Sequence, residues 1–261
     1  MNDRQPPIRK QYPFTVIGTE TDILDHLTPQ ALFGFMQEAA TLHCADLGMA
    51  EPVERAGGVW LLRRSRAVWH RMPTHRDKLH VETWSRGTSL VTFLRDFRFY
   101  LNDDFSHPVG VGSSEWIVAS RTEHRPMRPL DLLTQDMIET LAVPETAIDK
   151  KSPRLGTVAL PERPIKTLQI GYSELDHNRH VNNTNYLKYG IDAIAKWLSQ
   201  QNRFPQTGLL IAAMDVMYLR ELAYNDRLAV FIVEREDDFF IEGKKQDGET
   251  CFRMTLTVAE P

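Results

Sequence analysis

The densest group of side chains able to do chemistry lies between residues 173 and 183, which read Ser-Glu-Leu-Asp-His-Asn-Arg-His-Val-Asn-Asn. A carboxylate (Asp176), an amide (Asn178) and two imidazoles (His177 and His180) fall within five residues of one another. Asp and Asn commonly shape turns and cap helices, because their short side chains bond to nearby backbone N–H groups. Capping accounts for one or two of Asp176, Asn178, Asn182 and Asn183, but it gives no role to the imidazoles. Sites also concentrate on loops held by rigid elements, so the cluster reads as a site. His177 and His180, three apart and beside Asp176, raise the alternative of a metal centre. They precede the helix that would have to present them and lack a third strong ligand cluster, so no metal and no cofactor is expected. The two cysteines, Cys44 and Cys251, show neither a CxxC pair nor Cys/His spacing and are expected as small core residues.

The elements beside the cluster must position it. Residues 165–172 read as a strand and 183–198 as a helix, so the cluster occupies the turn between them. On that helix Tyr186, Tyr189, Ala193 and Trp197 line one side, and Leu187, Ile191, Ile194 and Leu198 another. Only Lys188, Asp192 and Lys196 form a polar stripe, and a helix so widely apolar has to be wrapped by other elements. Strands follow at 209–219, 227–234, 239–243 and 250–258, the last alternating Phe252, Met254, Leu256 and Val258 on one face. The first half has the same order: a strand at 12–19, a turn at 21–26, and a helix with Thr28 as N-cap, Pro29 at the first position and Gly48 as its stop. Strands then run through 59–120, where Leu79, Val81 and Thr83 alternate with Lys78, His80 and Glu82 as in a half-buried strand. Two ungapped blocks relate the halves. An offset of 154 brings Asp22 onto Asp176, His26 onto His180 and Ala39 onto Ala193, and one of 149 brings Arg66 onto Asp215, Arg71 onto Arg220, Asp77 onto Asp226, Leu79 onto Leu228 and Val81 onto Val230. The order and the blocks together indicate a duplication.

A chain of 261 residues, 42% hydrophobic and 25% charged, suffices for two domains with real cores. The expected division is 1–125, a proline-rich linker at 126–164 that includes Lys150, Lys151 and Ser152, and 165–261. The expected class is α+β, an antiparallel sheet curled around a central helix in each half. With 31 Lys plus Arg against 35 Asp plus Glu, the net charge is -4, which disfavours general nucleic-acid binding. The first seven residues carry no apolar stretch and no run reaches membrane-spanning length, so secretion, import and membrane insertion are unsupported and a reducing cytoplasmic setting is expected.

At this point a resemblance becomes specific. Asp176-His177-Asn178-Arg179-His180-Val181-Asn182-Asn183 followed by Tyr186 resembles the D-x-N-x-H-V-N-N-x-x-Y signature of fatty acyl-ACP thioesterases, a double-hotdog family. Further similar segments are Gln37-Glu38-Ala39-Ala40, Val59-Trp60-Leu61-Leu62-Arg63, Val81-Glu82-Thr83-Trp84, Arg95-Asp96-Phe97, Ser114-Glu115-Trp116-Ile117-Val118 and Met217-Tyr218-Leu219-Arg220-Glu221-Leu222. The resemblance is to a prokaryotic type without transit peptide. It implies tandem hotdog domains, a catalytic set of Asp176, Asn178, His180 and Glu221, and an acyl-chain pocket largely in the N-terminal half. Phe33, Phe35 and Met36 are available to line that pocket, though core packing is the ordinary role of each. Where the plant pattern often has Cys after the catalytic Glu this chain has Leu222, so a thiol nucleophile there is excluded.

A thioester suits carboxylate and imidazole chemistry, because the leaving thiol has a pKa near about 8.5 and needs little acid assistance. Glu221, assisted by His180, would activate water, while Asp176 either positions the network or attacks directly to give an anhydride. Asn178 would offer amide donors to the thioester oxygen or to the water, and the first free N–H groups of the helix near Asn183 would serve as the oxyanion site. In the first half the aligned positions are Asp22, Leu24, His26 and Met72, so one working site per chain is expected. The resemblance implies acyl carrier protein, with its phosphopantetheine arm, as partner, and leaves a homodimer open. Acyl-CoA hydrolysis by the same residues and a non-catalytic acyl-binding protein are the competing readings. Arg55, Arg63, Arg64, Arg66, Arg71 and Arg76 form an acid-free window between Glu54 and Asp77. That window is either a solvated strand face, with Arg64 and Arg66 on one side, or a docking surface for an acidic carrier; Lys150, Lys151 and Arg154 are a second candidate for docking.

Overall fold

Thr28 and Pro29 open the first long helix as their chemistry requires. Proline pre-sets the helical φ at a position whose N–H would be unpaired anyway, and Thr28 Oγ1 accepts the Ala31 N–H at 3.2 Å. Helix α1 (Pro29–Asp46) then runs to Gly48, which takes the left-handed φ of 69° that ends it without strain. The computed structural model describes residues 8–123, 125–148 and 155–259; Lys150, Lys151 and Arg154 therefore lie outside the described residues.

The chain divides into two compact units, and residues Glu20–Ala31 group with the second. The first unit contains β1 (Arg9–Thr15), the short α2 (Ala50–Arg55), β2 (Gly58–Trp69), β3 (Lys78–Ser89), β4 (Thr92–Leu101) and β5 (Gly110–Ser120). Its strands hydrogen-bond in the order β1-β3-β4-β5-β2, every pair antiparallel. The face of α1 that carries Leu32, Phe33, Met36, Ala39 and Ala40 is buried, and Phe35 stacks on Phe14 of β1 at 4.5 Å. The proline-rich stretch after β5 begins with ordered elements. The two-residue β6 (Pro126–Met127) pairs with β5, and α3 (Gln135–Thr140) is capped by Thr134 Oγ1, which accepts the Met137 N–H at 3.2 Å. Leu132 and Leu133 beside it join Leu47, Met49, Val53, Phe93 and Val118 in one buried cluster.

Two expectations for this unit need correction. The alternation on β3 suggests one open face, but His80 and Trp84 are buried along with Leu79, Val81 and Thr83. Phe105 sits edge-on to His80 at 4.9 Å, Arg9 and Arg98 lie over the Trp84 ring, and the Trp84 indole donates to the Glu145 carbonyl at 2.9 Å. Alternation reports which residues share a face, not what later packs over it. Arg64 likewise is only 8% exposed and reaches Glu115 at 3.9 Å, so the face it would share with Arg66 is not a solvated patch. A register shift between Leu62 and Arg64 leaves Arg63 as the extra residue, exposed to solvent.

The second unit contains β7 (Lys166–Gln169), α4 (Asn183–Gln200), β8 (Ile211–Tyr218), β9 (Arg227–Glu234), β10 (Phe239–Lys245) and β11 (Thr250–Val258). The strand order is β8-β11-β10-β9-β7, again antiparallel throughout. Tyr186, Leu187, Tyr189, Gly190, Ala193, Ile194 and Leu198 of α4 are buried, as the width of its apolar surface requires. Gly190 permits the close approach of α4 to β11: a Cβ there would stand 2.2 Å from Met254 Sδ, an impossible contact. Each unit is thus one long helix packed on an antiparallel sheet.

Candidate active site

The loop bearing Asp176, Asn178 and His180 joins a 3-10 turn at Tyr172–Glu174 to α4. Its shape is made locally. The Asp176 N–H donates to the His180 carbonyl at 2.8 Å, the Arg179 N–H to the Asp176 carbonyl at 3.0 Å, and Asp176 Oδ1 accepts the Asn178 N–H at 2.8 Å. Arg179 sits at φ 65°, where a non-glycine residue carries some strain. Asn182 caps α4, its Oδ1 accepting the Thr184 N–H at 3.0 Å. Asp176 and Asn182 therefore do perform turn and cap duty, alongside whatever chemistry Asp176 has.

Glu221 comes to this loop through the backbone. Val181 N–H donates to the Leu222 carbonyl at 2.8 Å, Leu222 N–H donates to the Tyr186 hydroxyl at 3.2 Å, and His180 forms an antiparallel bridge with Ala223. The Tyr218 hydroxyl donates to the Asn183 carbonyl at 3.1 Å, fixing the end of β8 to the start of α4. The outcome is a direct contact, His180 Nε2 to Glu221 Oε2 at 3.2 Å, with both side chains partly open to solvent. Asp176 and Asn178 share the loop, but among the described residues no side-chain bond links either to His180 or Glu221. The Asn178 amide has no side-chain bond among those residues and is available as a donor. In the first turn of α4, Thr184 and Asn185 N–H already bond to Asn182, while that of Asn183 has no such bond among the described residues. Of the N–H groups expected there as oxyanion donors, that of Asn183 is thus the one left without such a bond among the described residues.

The duplicate loop is an internal control of unusual closeness. Asp22 N–H donates to the His26 carbonyl at 2.8 Å, Asp25 N–H to the Asp22 carbonyl at 3.1 Å, and Asp22 Oδ1 accepts the Leu24 N–H at 2.8 Å. Asp25 has φ 61°, matching Arg179. The second block repeats as well: Asp77 Oδ2 accepts the Thr74 N–H at 2.8 Å, and Asp226 Oδ2 accepts the Ala223 N–H at 2.8 Å. What differs is chemistry. Leu24 replaces Asn178, Met72 replaces Glu221, and Asp25 replaces Arg179.

Tyr186 is the residue whose importance the motif alone understates, since it closes the signature yet acts by holding Leu222. Burial pushes its phenol well above the ordinary range, so it serves as a neutral hydroxyl. Burial likewise pushes the Cys251 thiol up to about 12, and Cys44 moves in the same direction for the same reason, so neither supplies a thiolate at neutral pH. Among the described residues no group of three or more His, Cys, Asp and Glu is placed to hold a metal ion. No helix there is long and apolar enough to cross a membrane. A cavity of about 110 Å³ lies within the first unit, and Phe33, Phe35 and Met36 are not among its lining residues.

An antiparallel sheet packed on one long helix, built twice along the chain, is the tandem hotdog fold. It is shared with an acyl-ACP thioesterase from Bacteroides thetaiotaomicron (23% identity, TM-score 0.82, covering 98% of this chain and 100% of that one) and with the 12:0-ACP thioesterase from Umbellularia californica (18%, TM-score 0.80, 97% of each). Residues 9–137 match the family model for the acyl-ACP thioesterase N-terminal domain, and residues 170–255 match that of the thioesterase-like superfamily. Oleoyl-acyl carrier protein thioesterase 2 of Arabidopsis thaliana, a chloroplastic protein, is 24% identical over 201 residues, which are 69% of this chain and 53% of that protein. The chain belongs to the acyl-ACP thioesterase family, and it spans about half the length of the curated relatives it matches.

Proposed function

We propose that this protein hydrolyses the thioester of fatty acyl chains carried on acyl carrier protein, releasing the fatty acid and the carrier thiol. The observation that carries the reading is the 3.2 Å contact of His180 with Glu221, set on a loop whose duplicate keeps the backbone bonds and lacks the carboxylate. In this mechanism Glu221 removes a proton from water as it attacks the thioester carbon, and His180 holds Glu221 in place and shares the proton. The Asn178 amide and the Asn183 N–H donate to the oxygen on which negative charge develops. The intermediate then collapses with loss of the thiol, whose pKa near about 8.5 lets it depart as thiolate or with a proton returned by His180. Asp176 holds the loop: one of its oxygens already binds the Asn178 N–H, which supports positioning over direct attack. The second unit carries this chemistry, and the first, with Leu24 and Met72 at the matching positions, carries none. The activity belongs to fatty acid synthesis in the cytoplasm, with the exposed Arg63, Arg71 and Arg76 available to an acidic carrier.

The test is turnover across matched acyl-ACP and acyl-CoA substrates of several chain lengths, with Glu221→Gln alongside. Thiol release from acyl-ACP, at a higher kcat/KM than from acyl-CoA and lost in the variant, supports the reading. Preference for acyl-CoA would move the substrate class. Acyl binding without turnover would make the protein a carrier or sensor.

A further inference from the structure

The two duplicate loops share a backbone and differ in what braces them. In the first half the Thr28 N–H donates to the Glu20 carbonyl at 2.8 Å and Thr21 bridges Leu27; in the second the Asn182 N–H donates to the Glu174 carbonyl at 2.9 Å and Leu175 bridges Val181. Glu20 and Glu174 are related by the same offset of 154 that aligns Asp22 with Asp176. Each loop is therefore closed at its foot by main-chain bonds that need no particular side chain. The second half adds bonds that the first cannot copy. The Glu174 carboxylate accepts the Gly171 N–H at 2.7 Å and the Tyr189 hydroxyl, and the Glu174 carbonyl accepts a further bond from the Asn185 amide at 3.0 Å. Tyr189 and Asn185 align with Phe35 and Ala31, whose side chains have nothing to donate. Tyr189 is fully buried, where phenylalanine would cost the fold less, because a buried hydroxyl has to be desolvated and paired. Burial, and after it the Glu174 carboxylate, push its phenol well above the ordinary range, so the hydroxyl keeps its proton and is the donor.

We propose that Glu174 is a positioning residue of the active site: tied to Tyr189 and Asn185 of α4, it fixes to that helix the loop carrying Asp176, Asn178 and His180, and so holds His180 against Glu221. The proposal rests on the thioesterase reading, since it explains why only one of two loops with the same backbone is braced in this way. Bonds from Gly171, Asn182, Asn185 and Tyr189 converge on this one residue, where the loop leaves the 3-10 turn. The bonds of Asp176 with His180 and Asn178 set the shape of the loop, but a loop of fixed shape can still rock about its foot. Proton transfer tolerates little rocking, because a displacement of about 1 Å can cost about a hundredfold in rate. Supports behind the reacting groups supply that precision. In the first half, where Leu24 and Met72 leave no chemistry to align, Phe35 and Ala31 stand at the corresponding places.

The experiment compares Tyr189→Phe, which installs the residue of the first half, with Glu174→Ala and Glu174→Gln in the full chain. The measurements are steady-state kinetics on one acyl-ACP, well below the unfolding midpoint, and amide hydrogen exchange. Tyr189→Phe and Glu174→Ala should each lower kcat by about tenfold with KM nearly constant, and the double variant should lose little more than either alone. Glu174→Gln should restore kcat to within about threefold of wild type, because its amide oxygen can accept the Gly171 N–H while its NH2 donates to the Tyr189 hydroxyl. The Asp176 and Arg179 amides should exchange faster in Tyr189→Phe, while the matching Asp22 and Asp25 amides keep their wild-type rates. If Glu174→Ala fails to fold, Asn185→Ala, which removes one donor to the Glu174 carbonyl, should lower kcat in its place. Wild-type kcat in Tyr189→Phe, or a Gln variant as slow as the Ala variant, would overturn the proposal. So would equal acceleration of exchange in both loops, which is general destabilisation. Each of these results leaves hydrolysis by the wild-type chain intact. A wild-type chain inert on acyl-ACP is a different result, which overturns the thioesterase reading and the proposal with it.

Discussion

Replacing Tyr186 with Phe removes one oxygen atom and nothing else from the support of Glu221. The ring keeps its edge contacts with Tyr218 at 5.3 Å and Phe252 at 5.4 Å, so no cavity opens and the packing is unchanged. What is lost is the acceptor of the Leu222 N–H, and Leu222 is fully buried. A buried donor left without a partner costs about 1–3 kcal/mol. At 3.2 Å the bond is long, which places the loss toward the lower end, about 1–2 kcal/mol. Glu221 is the next residue back, so its carboxylate should wander from His180 and the proton transfer should slow by about tenfold, roughly the same free energy expressed as a rate. Urea unfolding with an unchanged m-value and steady-state kinetics on one acyl-ACP measure both effects. The expected pattern is a lower unfolding midpoint with lower kcat and nearly constant KM, since the binding surface is untouched. A variant with wild-type midpoint and wild-type kcat would refute the reasoning: the Leu222 N–H would then have another partner, and the hydroxyl would not be what positions Glu221.

Glu221→Gln and His180→Ala should each reduce turnover by at least about a hundredfold with little change in stability, whereas Asp176→Asn should show both a comparable rate loss and a lower unfolding midpoint, because Asp176 also holds its loop. His26→Ala should leave kcat within about twofold, and abolished hydrolysis in a folded variant would end the single-site model. Arg64→Glu should lower stability by about 3 kcal/mol, as a buried cation replaced by an anion beside Glu115, while Arg71→Glu and Arg76→Glu should lower kcat/KM for acyl-ACP, weaken its salt dependence and leave a short acyl-pantetheine substrate unaffected. Cys251 should resist alkylation at pH 8 until the protein unfolds, since a thiol with a pKa of about 12 is ionised to about one part in ten thousand there. Through the same group stability should fall as pH rises above the ordinary thiol value of 9.0, because the unfolded thiol ionises while the buried one does not, and a urea midpoint independent of pH between 9 and 11 in comparison with Cys251→Ala would contradict it.

Much of this protein is written in short stretches of sequence. Thr28 with Pro29, Asn182 before α4, and the paired Asp22 and Asp176 turns all bond within a few residues, so their outcome depends little on the rest of the chain. For the same reason the duplication could be found from two offsets, and the two loops keep matching hydrogen bonds while few of their residues agree. The apolar girth of α4 likewise announces a helix that a sheet must cover. The signature around His180 pointed to a carboxylate site, though Glu221 entered only through resemblance to a family, because nothing local ties it to a loop some forty residues earlier. Tertiary structure alone decided that contact, through the bonds of Val181, Leu222 and Tyr186 that lay one loop against the other. It also decided that His80 and Trp84 of β3 are buried and that Arg64 is buried. Periodicity states which residues share a face, but burial depends on what arrives from distant sequence to cover that face, and a partner brought by packing leaves no trace in local spacing.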